Sequence, residues 1–521
     1  MLSLRHLVLQ CARTPIIVIA SFGAVACIFQ SPIVKQVDLK NPPVTVTTPV
    51  KAHLFDGSTI VFPNGVTLSE NIVRGAGTRY AAVSAAATPA SPISLDSIVG
   101  MEAYDRQIAM GRSVVASTTL AVVGAAGAIV LAKALFGSCP TFYADSAGTE
   151  LLQAEGFSFS VAPLFEQRDV DKLRLTPTGD GRVVLNVRNE ALETHYINHL
   201  ELLEVRHGPS ELAFPDQRGF PVAVRNPRTA DTIRDRAGRN IASIISATDN
   251  VVYSSHDDVV RNVSATDLDD YIDISVRSQG QADSLAVILD MRNSLLNTVL
   301  LYDHILGNPG LKSLDWLGED LGNISTAVDL GRWYTANMGM RISVREGNSF
   351  RQVARIGDSG PIAFHKIALI VPAIRNDDDM VHIRLSFVAD DWRIDAIGIA
   401  EQWRRPESRR IPVTNVAMSA PSQNSPAAAS IREADTEYLI TTPGQSFRVE
   451  FDVGAGDTSG RSWMLASQGY YTEWVRGAWI KSASGKPFSA TNETLVEAIR
   501  GWRSKQAEIE QRFYSTRIST R

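Results

Sequence analysis

Between Arg112 and Lys133 the chain carries no charged residue. Read as a helix, about 20 residues span roughly 30 Å, the thickness of a bilayer's hydrocarbon core. No other feature limits the chain so strongly, because the residues before it are short and strand-like and those after it make a large, mostly β region. Small residues form two ridges at helical spacing, Ser117, Ala121 and Ala125 on one and Gly124, Ala128 and Ala132 on the other. Such ridges let helix backbones approach closely in lipid. A helix buried in a soluble core, apolar all round, is the competing reading. We expect a membrane-embedded helix over 113–136.

A second apolar segment lies at the start. Arg5 and Arg13 precede PIIVIASFGAVACIFQ, the charge-then-apolar order of export signals. Ala24 and Ala26 before Cys27 look like a lipoprotein cleavage site, which makes Cys27 the expected lipidation site, although Ala24 stands where Leu is usual. An uncleaved anchor and a plain cleaved signal are the alternatives for 1–34.

With 521 residues the chain is long enough for about three domains. Its 44% hydrophobic and 21% charged residues and net charge of −5 describe a globular protein and argue against nucleic acid as a partner. Three cysteines, Cys11, Cys27 and Cys139, are too few and too scattered for a disulfide framework.

Residues 35–111 read as a small β-meander or barrel with a linker. Asp56-Gly57 and Asn64-Gly65 mark tight turns between alternating apolar runs. Gly75-Ala76-Gly77 resembles the start of a dinucleotide fingerprint, but Tyr80 replaces its third glycine and no helix pattern comes after it, so a loop is expected. Residues 138–403 form a large β-rich region with one interrupted helical stretch, and VHIRLSFVADDWRIDAIGIA reads as a hairpin turning at Asp390-Asp391. Residues 404–436, rich in Pro, Ser and Ala, read as a linker or long loop. Residues 437–521 add strands and a C-terminal helix in which Leu495, Ile499, Trp502, Ile509 and Phe513 recur at helical spacing. The expected fold is mainly β: a small N-terminal β-meander or barrel, one transmembrane-like Gly/Ala-rich helix, and a large β-sandwich-like region with a few helices.

Ser138-Cys139-Pro140 with the aromatic pair after it, Asn189-Glu190, Glu193-Thr194, KAHLFDGST and SQGYYTEWVRGAW resemble an uncharacterised group of bacterial envelope proteins, often lipoprotein-like. The resemblance runs over most of the chain. It implies this order of domains and an envelope location, and no activity.

Chemistry-bearing patterns are sparse. Gly357-Asp358-Ser359-Gly360 matches the string around a serine-protease nucleophile, without the segment that would carry the base histidine. His195 and His199 are four apart with Glu193 nearby, a spacing that holds zinc only on a helix, whereas the surroundings read as strand. Asp377, Asp378 and Asp379 with Asp390 and Asp391 offer hard oxygen ligands for calcium but no ligand loop of fixed spacing, so solvated turns are expected. Tyr470, Tyr471, Trp474 and Trp479 form an aromatic cluster that serves either as core or as an interaction surface. No catalytic residue, cofactor or metal is therefore assigned. The expectation is a membrane-attached protein of the bacterial cell envelope with a binding, assembly or structural role, its partners the membrane and another envelope protein. An envelope hydrolase using Ser359, with His365 or His304 as base, is the alternative.

Overall fold

The computed structural model describes residues 30–37, 39, 44–81, 87–108, 139–146, 148–278, 282–305, 324–419, 431–474 and 490–520. The expected helix over 113–136, Cys27 and Trp479 lie outside the described residues. Among the described residues, no helix is long and apolar enough to cross a membrane.

The chain is mainly β, in several sheets. An N-terminal body pairs a six-stranded sheet, with Val50–Leu54 and Ile98–Ile108 near its centre, with a four-stranded sheet over a core that includes Val50, Ala52, Ile60, Phe62, Leu68 and Met101. Both expected turns form there, with Gly57 at φ 77° and Gly65 at φ 83°. At Gly65 a Cβ would fall 2.0 Å from the carbonyl oxygen of Val46, so the turn needs glycine twice over, for φ and for space. Gly75 and Gly77 lie in and after the bend joining strands Ile72–Arg74 and Gly77–Tyr80.

The large region is two sandwiches, one inserted into the other. In the outer sandwich, strands Arg182–Arg188 and Ser446–Asp452 face Glu193–Arg206 and Arg461–Glu473 across Leu185, Leu200, Phe447, Val449, Trp463 and Leu465. Strand Ser408–Met418 joins these two layers, pairing first with Glu193–Arg206 and then with Ser446–Asp452. Strands that switch sheets in this way form the corners of sandwiches. Within the expected linker over 404–436, residues Ser408–Met418 are thus strand, because Ile411 and Val413 turn inwards from an otherwise polar run. The boundaries expected at 403 and 437 fall inside this sandwich, which is built from both ends of the large region.

The inserted sandwich packs a five-stranded sheet on the three strands His365–Pro372, Ser284–Asn293 and Trp392–Ala400. Ile272, Ile274, Ile383, Leu385 and Phe387 meet Val287, Leu289, Leu369, Trp392 and Ile394 between them. The hairpin expected at Asp390-Asp391 does not form. Met380–Val388 and Trp392–Ala400 belong to opposite sheets, and the chain crosses the sandwich at Asp390, at φ 66°. Alternation alone cannot distinguish two strands facing each other across a core from two that pair side by side.

The C-terminal helix is two helices, Asn492–Ser504 and Gln506–Ser515, meeting at Lys505. Thr491 caps the first, its hydroxyl accepting from the Thr494 amide at 3.2 Å. All five residues expected on its apolar face are buried, against Leu296, Val299, Leu300 and Leu330.

Candidate functional site

The described parts of the strings quoted for the envelope resemblance are far apart in sequence and meet around one buried polar junction. Strand Val50–Leu54 is buried on both faces: Val50, Ala52 and Leu54 fill the N-terminal core, and Lys51 and His53 turn towards the outer sandwich. Lys51 Nζ donates to the carbonyl oxygen of Glu473 at 2.9 Å and lies 3.6 Å from Glu102 Oε1, its register partner on Ile98–Ile108. His53 Nε2 is 3.0 Å from Glu102 Oε1, and its ring stacks on Trp474 with centroids 5.2 Å apart. Tyr196 Oη donates to the Leu54 carbonyl at 2.8 Å. Beyond Lys51, Tyr302 Oη donates to Glu473 Oε1 at 2.5 Å, and His195 Nε2 lies 3.2 Å from Glu193 Oε2. Burial lowers the Lys51 pKa, with Glu102 and Glu473 opposing it. Burial, then the Lys51 charge, push His53 down to about 4, so its imidazole is neutral. Burial, then Glu193 and Glu155, push the Cys139 thiol well up, away from the thiolate that reactive cysteines need.

Three of the four aromatic residues picked out from sequence lie at or beside this junction. Tyr470, Tyr471 and Trp474 are buried and Trp474 Nε1 donates to Thr194 Oγ1 at 2.8 Å, so these three are core and not a surface. His195 is fully buried and His199 half-buried, with a register shift between Ile197 and His199 that interrupts the expected alternation.

A second cluster holds Asp169, Asp171 and His365, whose ligand atoms lie within 4.8 Å of one another. His365 Nδ1 is 2.5 Å from Asp171 Oδ1. Burial disfavours the imidazolium, yet Asp171, Asp169 and Asp290 outweigh it and hold His365 up at about 9. Neighbouring Asp290 is met by Lys366 at 2.8 Å and Arg174 at 3.6 Å. The donor set suits a divalent metal. It is also balanced by its own cations.

The third cluster surrounds the Gly357-Asp358-Ser359-Gly360 turn. Asn293, at the end of its strand, accepts from the Ser359 amide at 2.8 Å and points Nδ2 at Asp358 Oδ1 (3.3 Å) and Asp391 Oδ1 (3.4 Å). Tyr334 Oη donates to Asp358 Oδ2, and Asn297 bonds the same carboxyl. Gly360, at φ 83°, lets the turn dock on the outer sandwich, since a Cβ there would meet Glu155 Cδ at 2.4 Å. Glu155 Oε2 in turn accepts from the Ile362 amide at 2.8 Å. The Ser359 hydroxyl is buried without a hydrogen-bond partner. His365 is held by Asp171, and His304 lies against the C-terminal helix at Gly501, so neither expected base is bonded to Ser359. Burial raises Asp358 to about 7; burial, then the charge of Asp358, raise Asp391 well above the carboxylate range.

Asp390 and Asp391 are therefore not solvated turn residues; both are fully buried. Asp377, Asp378 and Asp379 are exposed at the other end of strand Met380–Val388, roughly 30 Å away at about 3.3 Å per residue, and do not join them. Sequence reasoning missed Asp358 as a partner of Asp391, and Lys51 with Glu102. The signal for the latter was a Lys and a His inside a strand otherwise flanked by apolar residues.

No family model matches the sequence, and no curated protein matches it. Among solved structures, a GH31 alpha-xylosidase of Xanthomonas citri aligns at 7% identity over 85% of this chain with a TM-score of 0.15, and this chain covers only 34% of it. The VP2 protein of infectious bursal disease virus aligns at 10% identity over 67% of this chain and 90% of its own, with a TM-score of 0.12. At such scores neither likeness bears on fold or function.

Proposed function

We propose that the chain is a membrane-attached protein of the bacterial cell envelope with a binding or assembly role, and that its N-terminal body and double sandwich work as one unit on one side of the membrane. The attachment reading rests on the two apolar segments of the sequence. The observation that carries the one-unit reading is the contact between Lys51 and Glu473, which lie on either side of the Gly/Ala-rich segment in sequence. A single crossing between them would set the two bodies roughly 30 Å apart on opposite faces of a bilayer, whereas these groups share a hydrogen bond. Attachment then rests on the N-terminal segment, with Cys27 as its lipidation site. Exposed sheet edges such as Ser349–Ile356, outermost in its five-stranded sheet, suit an assembly role through main-chain pairing.

Cys139 is buried and unsuited to reporting sidedness, so reporters belong on exposed positions. Full-length protein carrying Glu70→Cys or Asn348→Cys, one on each body, is treated in intact cells with an impermeant maleimide, against the wild-type background. Both positions are expected to label alike, and the protein to sediment with membranes until detergent is added. Labelling of one with protection of the other, or release of the full chain without detergent, overturns the proposal.

A further inference from the structure

Burying a carboxylate demands a proton, a cationic side chain or a metal ion, because desolvation of an unpaired charge is prohibitive. Several buried acids find a cation: Glu102 has Lys51, Asp171 has His365, Asp290 has Lys366, and Asp390 has Arg393 at 2.9 Å and Arg503 at 3.2 Å. Asp270 has none and is met instead by the hydroxyls of Tyr253 and Ser255 and the amide of Tyr271. Asp358 and Asp391 differ. Among the described residues neither forms an ion pair, and both lean on one amide group of Asn293. Arg393 acts on Asp391 as a charge without forming an ion pair; its Nη1 is bound to Asp390 and to the carbonyl oxygens of Asp390 and Trp392, and its Nη2 is buried with no hydrogen-bond partner.

A second observation is independent of that charge count. Asp391 is fully buried, and its Oδ2 has no hydrogen-bond partner. The same is true of two further buried oxygen atoms in the cluster, Ser359 Oγ and Asn297 Oδ1. Their side chains are tied to the pair, Ser359 through its amide on Asn293 and Asn297 through its bond to Asp358. Unsatisfied buried polar atoms are few in folded proteins, and here three such oxygens belong to the acid pair or to residues hydrogen-bonded into its network, so one ligand would satisfy them together.

We infer that Asp358, Asp391, Asn297 and Ser359 form a binding site for a hard divalent cation, Ca2+ in the first instance. The donors are all oxygen, two carboxylates with one amide and one hydroxyl, and no nitrogen or sulfur ligand competes to favour zinc or copper. They come from three separate elements, the turn after strand Ser349–Ile356, the bend before strand Trp392–Ala400 and the short helix Leu296–Val299, and Tyr334 of helix Ile324–Asn337 holds Asp358. An ion there ties both sheets of the inserted sandwich to the helical layer. The Asp169, Asp171 and His365 cluster, with its own imidazolium, has no such need.

The test uses detergent-solubilised full-length protein stripped with EDTA. Terbium is expected to show luminescence sensitised through nearby aromatic residues, including Tyr334, and to be displaced by Ca2+ but not by Na+. Ca2+ is expected to raise the melting temperature by a few degrees, as a ligand that binds only the folded state must. Asp391→Asn and Asp358→Asn should each abolish that rise, and Asp169→Asn should keep it. Absence of any Ca2+-dependent rise, or an equal rise in both asparagine variants, overturns the inference. The terbium titration of the unaltered protein decides the matter even if one variant fails to fold: emission that Ca2+ cannot displace also overturns it.

Discussion

The Lys51 junction and the Asp358–Asp391 pair are both buried polar clusters between layers of the fold, yet they meet the burden of buried charge in opposite ways. At the junction Lys51 and His53 meet Glu102 within the N-terminal body, and Lys51 also donates across to the main-chain carbonyl of Glu473 in the outer sandwich, so one buried cation is satisfied from both bodies. At the acid pair the charges have the same sign, and the protein supplies an asparagine in place of a cation. The first arrangement fastens and the second waits for a ligand or a proton. Removing one member of a satisfied buried pair leaves an uncompensated charge, whereas removing one member of a like-charged pair relieves one.

Substitutions can break that contrast, and the largest expected effect is at the junction. Lys51→Met keeps the side-chain length but strands Glu102, and we expect a loss of about 3–5 kcal/mol in chemical denaturation. Adding Glu102→Gln should return part of it. Trp474→Ala, which removes a fully buried ring stacked on His53, should cost a similar or slightly smaller amount, roughly 3–5 kcal/mol, and lower the melting temperature. A melting temperature left unchanged by Trp474→Ala would refute its place in the core.

The acid pair should respond with the opposite sign and through pH. Asp358 is raised to about 7 in the folded state, against about 3.9 in an unfolded chain, so the folded protein binds the extra proton between these values. The contribution of this pair to stability without divalent cations is therefore full below about pH 4 and is lost as pH rises through about 7. Asp391→Asn should flatten that fall in denaturation curves taken across the range. His365 also has a raised value, about 9, so its contribution is full below about pH 6.5 and disappears only as pH rises through 9. His365→Gln separates the two windows. The smallest effect belongs to Ser359→Ala: a hydroxyl without a partner can be removed at a change within about 1 kcal/mol, and any hydrolytic rate should be unaltered.

How much could be read from sequence depends on how local each feature is. The turns at Gly57 and Gly65 and the buried face from Leu495 to Phe513 depend on neighbours within a few residues, and they formed as expected. The aromatic cluster at Tyr470 could be recognised as such, but whether it faced solvent depended on strand Val50–Leu54, some 420 residues earlier by the Lys51–Glu473 separation of 422. The Asp390-Asp391 bend was visible as a turn and misread as a hairpin, because strand alternation records burial and not the identity of the pairing strand. Ser408–Met418 escaped notice because only Ile411 and Val413 in its first half are turned inwards, too few to outweigh its polar composition. Asp358 and Asp391 each looked like turn residues. Only the crossing from one sheet to the other makes them neighbours.

The central claim, that buried charge at the junction makes the N-terminal body and the outer sandwich one unit, is tested most directly by hydrogen exchange on the full-length protein and its Lys51→Met variant. Peptides covering Val50–Leu54 and residues 467–474 are expected to lose protection together in the variant, while those covering Met380–Val388 in the inserted sandwich keep theirs. Loss confined to Val50–Leu54, with residues 467–474 as protected as in the wild type, would contradict the account.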